Sequence, residues 1–284
     1  MTEAAPSTRG FADSYFDLKA KYGARTMTQA ESSTRHSANP YFDMTGKVVL
    51  ITGGSRGLGY EMAKGFAALG ADLVITSRDA DACEKVASEI RSRGRRVLAK
   101  GCHVGNWAEV DALVDAAYTE FGKVDVLINN AGISPVAPSS LETSEALIDK
   151  ILAVNFKGPF RLMALIGSRM VEHKAGSIIN VTSTAAIRPL PEFAPYAGAK
   201  GGLNILTRAF ALEYGPHVRV NAIMCGPFWT DISESWREEV DRTTDAALRR
   251  IGRPEEIVTT ALYLASDCSS FTTSTVVEVS GGVR

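Results

Sequence analysis

The sequence predicts one doubly wound α/β domain, a parallel sheet flanked by helices, over residues 44–284, behind an N-terminal extension of residues 1–43. Three observations carry this. From residue 44 onward, short apolar runs alternate with longer amphipathic stretches, the pattern of parallel βαβ units with right-handed crossovers. The first apolar run passes directly into a glycine-rich turn that opens a helical stretch. The 284 residues are 45% apolar and 22% charged, enough apolar mass for a substantial core. Length alone allows two domains or one large one; the unbroken alternation selects one.

The elements follow in order. Residues 47–51 (Lys-Val-Val-Leu-Ile) form a strand, and 58–69 a helix. Residues 72–76 (Asp-Leu-Val-Ile-Thr) form the second strand, followed by a helix over 79–91. Strand 97–99, helix 106–121 and strand 125–129 continue the series. A long helix over 144–173 precedes strand 177–182, and a helix over 195–214 precedes strand 218–223. The last pair is a helix over 254–265 and a strand over 275–279. Runs of continuous rather than alternating apolar residues suit strands covered on both faces.

The extension reads differently. Phe11, Tyr15, Leu18 and Tyr22 fall at steps of 4, 3 and 4, one face of a short helix between Gly10 and Gly23. Residues 32–40 are polar and read as a linker. The helix either patches its own subunit or packs on a neighbouring one.

With 31 basic and 32 acidic residues the formal charge is −1, which argues against gripping nucleic acid or an anionic membrane. No run approaches the roughly 18–20 apolar residues of a membrane span. Cys83, Cys102, Cys225 and Cys268 form no CxxC pair, so neither a disulfide framework nor a zinc site is expected. His36, His173 and His217 have no partners at metal-ligand spacing. The start lacks a secretory signal, and Glu3, Asp13, Asp17 and Glu31 interrupt a transit peptide. The expected compartment is the cytoplasm.

The glycine turn reads Thr52-Gly53-Gly54-Ser55-Arg56-Gly57-Leu58-Gly59. Glycine lets backbone approach a pyrophosphate, whose charge is favoured at a helix N-terminus. The spacing GxxxGxG differs from GxGxxG but occupies the same strand-to-helix context. At the end of the second strand an acid would bind a free ribose 2′-hydroxyl, and an arginine a 2′-phosphate. The chain has Thr76-Ser77-Arg78 there, and Arg56 inside the turn, so NADPH is expected over NADH. The competing reading is that both arginines are solvated surface charges.

Tyr196 and Lys200 are four apart, on one face of a helix. A tyrosine with a reference pKa of about 10 exchanges protons poorly near neutrality, and an adjacent ammonium is expected to lower that value. Tyr196 then serves as general acid in reduction and base in oxidation.

Residues 44–284 resemble the short-chain dehydrogenase/reductase family, a Rossmann-type fold. The matching motifs are Thr52 to Gly59, Asn129-Asn130-Ala131-Gly132, Asn155, Ser183, and Tyr196-Ala197-Gly198-Ala199-Lys200. Ser183 stands 13 residues before Tyr196, as the family pattern requires. The resemblance implies a catalytic set of Asn155, Ser183, Tyr196 and Lys200. Ser183 would hold the substrate oxygen, Lys200 the nicotinamide ribose, and Asn155 a water linking Lys200 to solvent. It places Gly53, Ser55, Arg56, Gly57, Leu58, Gly59, Arg78, His103, Val104, Asn130, Ala131, Gly132, Gly226 and Thr230 around the cofactor. Asn129 either steadies neighbouring strands or contacts the cofactor.

Two departures stand out. The family usually has Pro-Gly after the sixth strand, and this chain has Cys225-Gly226-Pro227. His103 stands where an aspartate is common; it either contacts the adenine or faces solvent. The implied substrate wall includes Ile133, Pro135, Ile187, Leu190, Phe193, Phe228, Trp229 and Trp236, suited to an alicyclic, aromatic or acyl-chain ketone. The expected function is NADP(H)-dependent ketone reduction or secondary-alcohol oxidation. A 3-oxoacyl thioester reductase competes within that chemistry, and a non-catalytic dinucleotide-binding regulator outside it. The intact catalytic set argues against the regulator. The resemblance also implies a homotetramer or homodimer built through helices 144–173 and 195–214.

Overall fold

The computed structural model describes residues 41–230 and 246–283. The extension up to residue 40 and Trp236 lie outside the described residues. Seven parallel strands form one sheet: β1 Val48–Thr52, β2 Asp72–Ser77, β3 Val97–Gly101, β4 Val126–Asn129, β5 Gly176–Ser183, β6 Val218–Cys225 and β7 Val276–Val279. Their spatial order is β3-β2-β1-β4-β5-β6-β7. The order reverses between β1 and β4, so a crevice opens at their carboxyl ends.

The helices are α1 Gly57–Ala68, α2 Ala80–Arg91, α3 Trp107–Phe121, α4 Glu145–Leu152, α5 Gly158–Glu172, α6 Ala194–Tyr214 and α7 Val258–Ala265. β1 is buried along its whole length, and its side chains alternate between two cores. Val49 and Ile51 join Met62 and Phe66 of α1, Ile90 of α2 and Leu262 of α7. Val48 and Leu50 join Leu113 of α3, Ile166 of α5 and Leu203 and Phe210 of α6. Helices therefore cover both faces. Phe42 and Met44 pack into the first core.

Two predicted helices are divided. The stretch 144–173 is not one helix: α4 ends at Leu152, a π-helical turn follows over Ala153–Lys157, and α5 starts at Gly158. Pro159 supplies the reason. It has no N–H to offer the Asn155 carbonyl, and its ring crowds that oxygen in a regular helix. Gly158 is needed as well, because a methyl there would strike the Val104 carbonyl. The predicted helix 254–265 opens as a 3₁₀ turn, Pro254–Ile257, before α7.

β5 and β6 run past their predicted ends at 182 and 223, so Ser183 and Cys225 are opposed as their last residues. A buried polar ladder crosses this end of the sheet. Asn129 Nδ2 donates to Asn180 Oδ1 at 2.8 Å, and Asn180 Nδ2 donates to Thr207 Oγ1 at 2.9 Å. Asn129 thus ties β4 to β5, the strand-steadying alternative.

Candidate active site

A cleft of about 990 Å³ opens at the carboxyl ends of the central strands. Its first wall is the turn after β1. Gly53 and Gly57 have φ of +65° and +55°, the left-handed region open to glycine. A Cβ on Gly53 would lie 2.9 Å from Asn130 Nδ2 and 3.0 Å from Ala131 Cα, so this backbone passes tightly against the β4 loop. Thr52 stitches the two loops: its Oγ1 accepts the N–H groups of Asn130 and Ala131, each at 3.0 Å. Asn130 Nδ2 donates back to the carbonyls of Thr52 and Gly53 at 2.9 and 3.2 Å. Sequence reasoning gave Thr52 no role of its own; a threonine closing a fully buried strand is the signal that could have marked it.

The helix α1 has no acidic residue in its first turn and no side-chain cap. By contrast, Asp79, Asn106 and Ser144 cap α2, α3 and α4. Free helical N–H groups beside a left-handed glycine turn fit the diphosphate of a dinucleotide. Gly53, Ser55, Arg56, Gly57 and Leu58 all line the cleft; Gly59 lies beneath the turn. Arg78, His103 and Val104 line it at the ends of β2 and β3. His103 Nδ1 accepts the Gly105 N–H at 3.2 Å, which leaves the other ring nitrogen to the cleft. Asp79, the acid nearest the β2 end, accepts the Ala82 N–H at 2.9 Å and is committed to its cap.

The second wall holds the candidate proton-transfer residues. Ser183, Tyr196 and Lys200 line it together, although β5 and α6 are joined by an irregular loop. Ser183 ends β5, and its Oγ accepts the Ala185 N–H at 3.2 Å. Lys200 is buried, and its ammonium donates to the Val181 carbonyl at 2.8 Å and lies 5.9 Å from the Tyr196 ring centre. Asn155 stands behind this wall rather than on it. Its Nδ2 donates to the carbonyls of Ile133 and Ile151 at 2.9 and 3.0 Å, and its Oδ1 accepts the Ile133 N–H at 3.2 Å. A Cβ on Gly132 would come within 3.0 Å of Asn155 Oδ1 and 3.4 Å of Lys200 Nζ, so glycine admits both side chains.

The electrostatics differ from the sequence expectation. Burial pushes the Tyr196 hydroxyl up to about 12, against an opposing pull from its hydrogen bond with Ser183. Burial brings Lys200 down to about 8. Desolvation of each charged form dominates, and the lowering of Tyr196 comes from its Ser183 hydrogen bond rather than from Lys200. The thiol of Cys225, opposite Ser183, is also buried and pushed up to about 12. It is a neutral wall atom beside Lys200, on a residue the sequence flagged only as a departure.

The remaining assignments divide. Asn130, Ala131, Gly132, Gly226 and Thr230 line the cleft. So do Ile133, Leu190, Phe193 and Phe228, although Phe228 is also 94% buried in the first core. Ile187, which follows the 3₁₀ turn Thr184–Ala186, does not line it. Pro135 and Trp229 do not line it either. Val136, Arg188, Ala246 and Val283 do, and sequence reasoning named none of them. Among the described residues no cluster of His, Cys, Asp and Glu could hold a metal ion.

Comparison with known proteins decides the class. The short chain dehydrogenase pattern matches residues 47–241, more than half of the chain. The chain belongs to the short-chain dehydrogenase/reductase family. The (2S)-[(R)-hydroxy(phenyl)methyl]succinyl-CoA dehydrogenase subunit of Thauera aromatica is 36% identical over 83% of this chain and 96% of its own. The 3beta-hydroxysteroid dehydrogenase 1 of Eggerthella lenta is 37% identical over 84% of this chain and 94% of its own. A short-chain type dehydrogenase/reductase structure from Mycobacterium marinum superposes with a TM-score of 0.83 at 32% identity, covering 87% and 99% of the two chains. As a short-chain dehydrogenase the protein is an oxidoreductase for alcohol or carbonyl groups of small molecules, with a nicotinamide dinucleotide cofactor.

Proposed function

We propose that this protein reduces an apolar ketone, or oxidises the matching secondary alcohol, with NADP(H). One observation carries the reading: a single cleft joins the glycine cradle of residues 53–57 to Ser183, Tyr196 and Lys200. A bound nicotinamide dinucleotide supplies the hydride. Tyr196, neutral up to about pH 12, gives its proton to the substrate oxygen. The Ser183 hydroxyl donates to the same oxygen as negative charge grows there. Lys200 adds positive charge beside it. Asn155 positions the 131–133 loop; with both of its amide hydrogens engaged, it would hold a water linking Lys200 to solvent as an acceptor.

The apolar assignment is supported by Ile133, Val136, Leu190 and Phe193 on the wall. It is also supported by two relatives whose names carry a phenyl-bearing acyl-CoA and a steroid. NADPH oxidation with alicyclic, aromatic, 3-oxoacyl thioester and polyol ketones tests the reading. Best turnover of the thioester would favour the acyl-chain alternative. Dinucleotide binding without turnover of any ketone would favour a regulator.

Cofactor choice rests on Arg56 and Arg78 at the end where Asp79 is engaged in capping. Two charge-assisted contacts of about 1.5 kcal/mol each correspond to roughly a hundredfold in affinity. We expect kcat/KM to favour NADPH over NADH by about that factor, and R56A/R78D to reverse the order. Steady-state kinetics with both cofactors check this.

The pH dependence follows from Lys200. It carries its charge below about pH 8 and loses it above. The free enzyme's kcat/KM for ketone reduction is therefore level below pH 8 and falls above it, while Tyr196 remains protonated. Lys200→Met should remove that descending limb along with most activity.

In this reading residues 44–284 form the catalytic domain, and 1–43 are an appended extension. Exposed Ile148, Phe160, Ile205 and Leu212 on α4, α5 and α6 support a homo-oligomer through these helices; light scattering gives its order. All four cysteines are free, in keeping with a reducing compartment.

A further inference from the structure

Arg188, Glu278 and Ser280 form a connected polar chain outside the catalytic set. Arg188 lies on the cleft wall, in the loop between β5 and α6 that also carries Leu190 and Phe193. Its Nη1 is 3.3 Å from Oε1 of Glu278 on the edge strand β7. Ser280 Oγ donates to the same Oε1 at 2.6 Å. That hydroxyl in turn accepts the N–H groups of Gly282 and Val283 at 3.2 and 3.3 Å. One donor and two lone pairs are the whole capacity of a hydroxyl, and all three are used.

The C-terminal turn held in this way grips a third segment. The carbonyls of Gly282 and Gly281 accept the N–H groups of Ala247 and Leu248, each at 3.0 Å. Ala246 pairs with Val283 in an antiparallel bridge. Both line the cleft, as do Leu190 and Phe193 from the loop. Wall segments about 60 and 90 residues apart in sequence are thus linked through Glu278 and the turn that follows it. An isolated pair as exposed as Arg188 and Glu278 contributes little. Here the shared oxygen also orients a hydroxyl that fixes two backbone amides, so the groups act together.

We propose that Arg188 and Glu278 are positioning residues: they clamp the β5–α6 loop to the C-terminal turn and so hold the substrate wall in register. Neither exchanges a proton with substrate. The clamp governs how well a ketone is bound, not the chemical step. Its kinetic readout rests on the ketone reductase reading above; its structural readout does not.

The test uses the full chain with NADPH bound. In R188Q and E278Q, KM for the best ketone rises about 5- to 20-fold, the size of coupling within a shared network. Over the same variants kcat changes less than about threefold and NADPH affinity is retained. R188K, which keeps the charge, stays within about threefold of the parent KM, and the double variant R188Q/E278Q is no worse than the poorer single one. Amide hydrogen exchange reads the clamp directly. In R188Q the amides of Ala247 and Leu248 exchange faster, although Arg188 touches neither. Unchanged exchange at both amides overturns the clamp whatever the kinetics show. Faster exchange with an unchanged KM overturns its role in binding. Faster exchange with no turnover of any ketone overturns the reductase reading and leaves the clamp standing.

Discussion

Tyr196→Phe lowers kcat about 10²- to 10⁴-fold, the range contributed by a positioned general acid. The substitution removes one hydroxyl and keeps the ring that packs near Lys200. Burial already holds that hydroxyl neutral, so its loss removes a buried polar atom rather than a charge. Folding stability should change by less than about 1 kcal/mol. NADPH affinity should stay within about threefold, because the proposed diphosphate cradle lies on the opposite wall. Ser183→Ala should lose less, because it removes one donor to the growing oxyanion and leaves the acid in place. Stopped-flow hydride transfer and fluorescence titration separate chemistry from binding. Turnover within tenfold of the parent would remove Tyr196 from the role of acid.

The second large effect is on cofactor binding. Gly59→Ala places a methyl against the Gly53 carbonyl oxygen and 2.6 Å from Asn130 Nδ2. The first obstacle is backbone, so no rotamer relieves it. The turn must move off the β4 loop, where Gly53 already sits at a left-handed φ. Overpacking of this kind costs about 1–3 kcal/mol. Stability should fall by that amount, and NADPH affinity by about 10- to 100-fold, since the displaced backbone is the cradle itself. Gly198→Ala is the control. It lies in α6 with no atom within 4 Å of a built Cβ, so it should be neutral or stabilise by up to about 1 kcal/mol. Thermal melts and isothermal titration of both variants read the contrast. Equal behaviour of the two would mean the turn is not sterically constrained.

Much of the fold was legible because its signals are local. Continuous apolar runs mark β1 and β2, and Asp79 and Asn106 mark where α2 and α3 start. The break at 153–157 was also legible in principle, since Gly158-Pro159 interrupts the pattern read as one helix. Helical periodicity on either side concealed it. That break matters to the site, because π-helical turns often occur at functional positions and this one holds Asn155 behind Gly132. The cleft wall was less legible. Ile187 and Leu190 are equally apolar in sequence, yet only Leu190 lines the cleft. Loop residues carry no periodicity from which to choose between them.

The sequence by itself determined the alternating βα order, the glycine turn at residues 53–59 and the Tyr196–Lys200 pairing. Each depends on contacts within one strand-turn-helix unit or one helical turn, where spacing along the chain is distance in space. Only the tertiary structure decided what depends on burial and on distant segments. It set Lys200 near 8 and Tyr196 near 12, because burial desolvates the charged form of each. It opposed Ser183 to Cys225 across β5 and β6, and it joined Arg188 to Glu278 over 90 residues. Those pairings follow from strand order and register, which are settled when the whole sheet packs between its two helical layers.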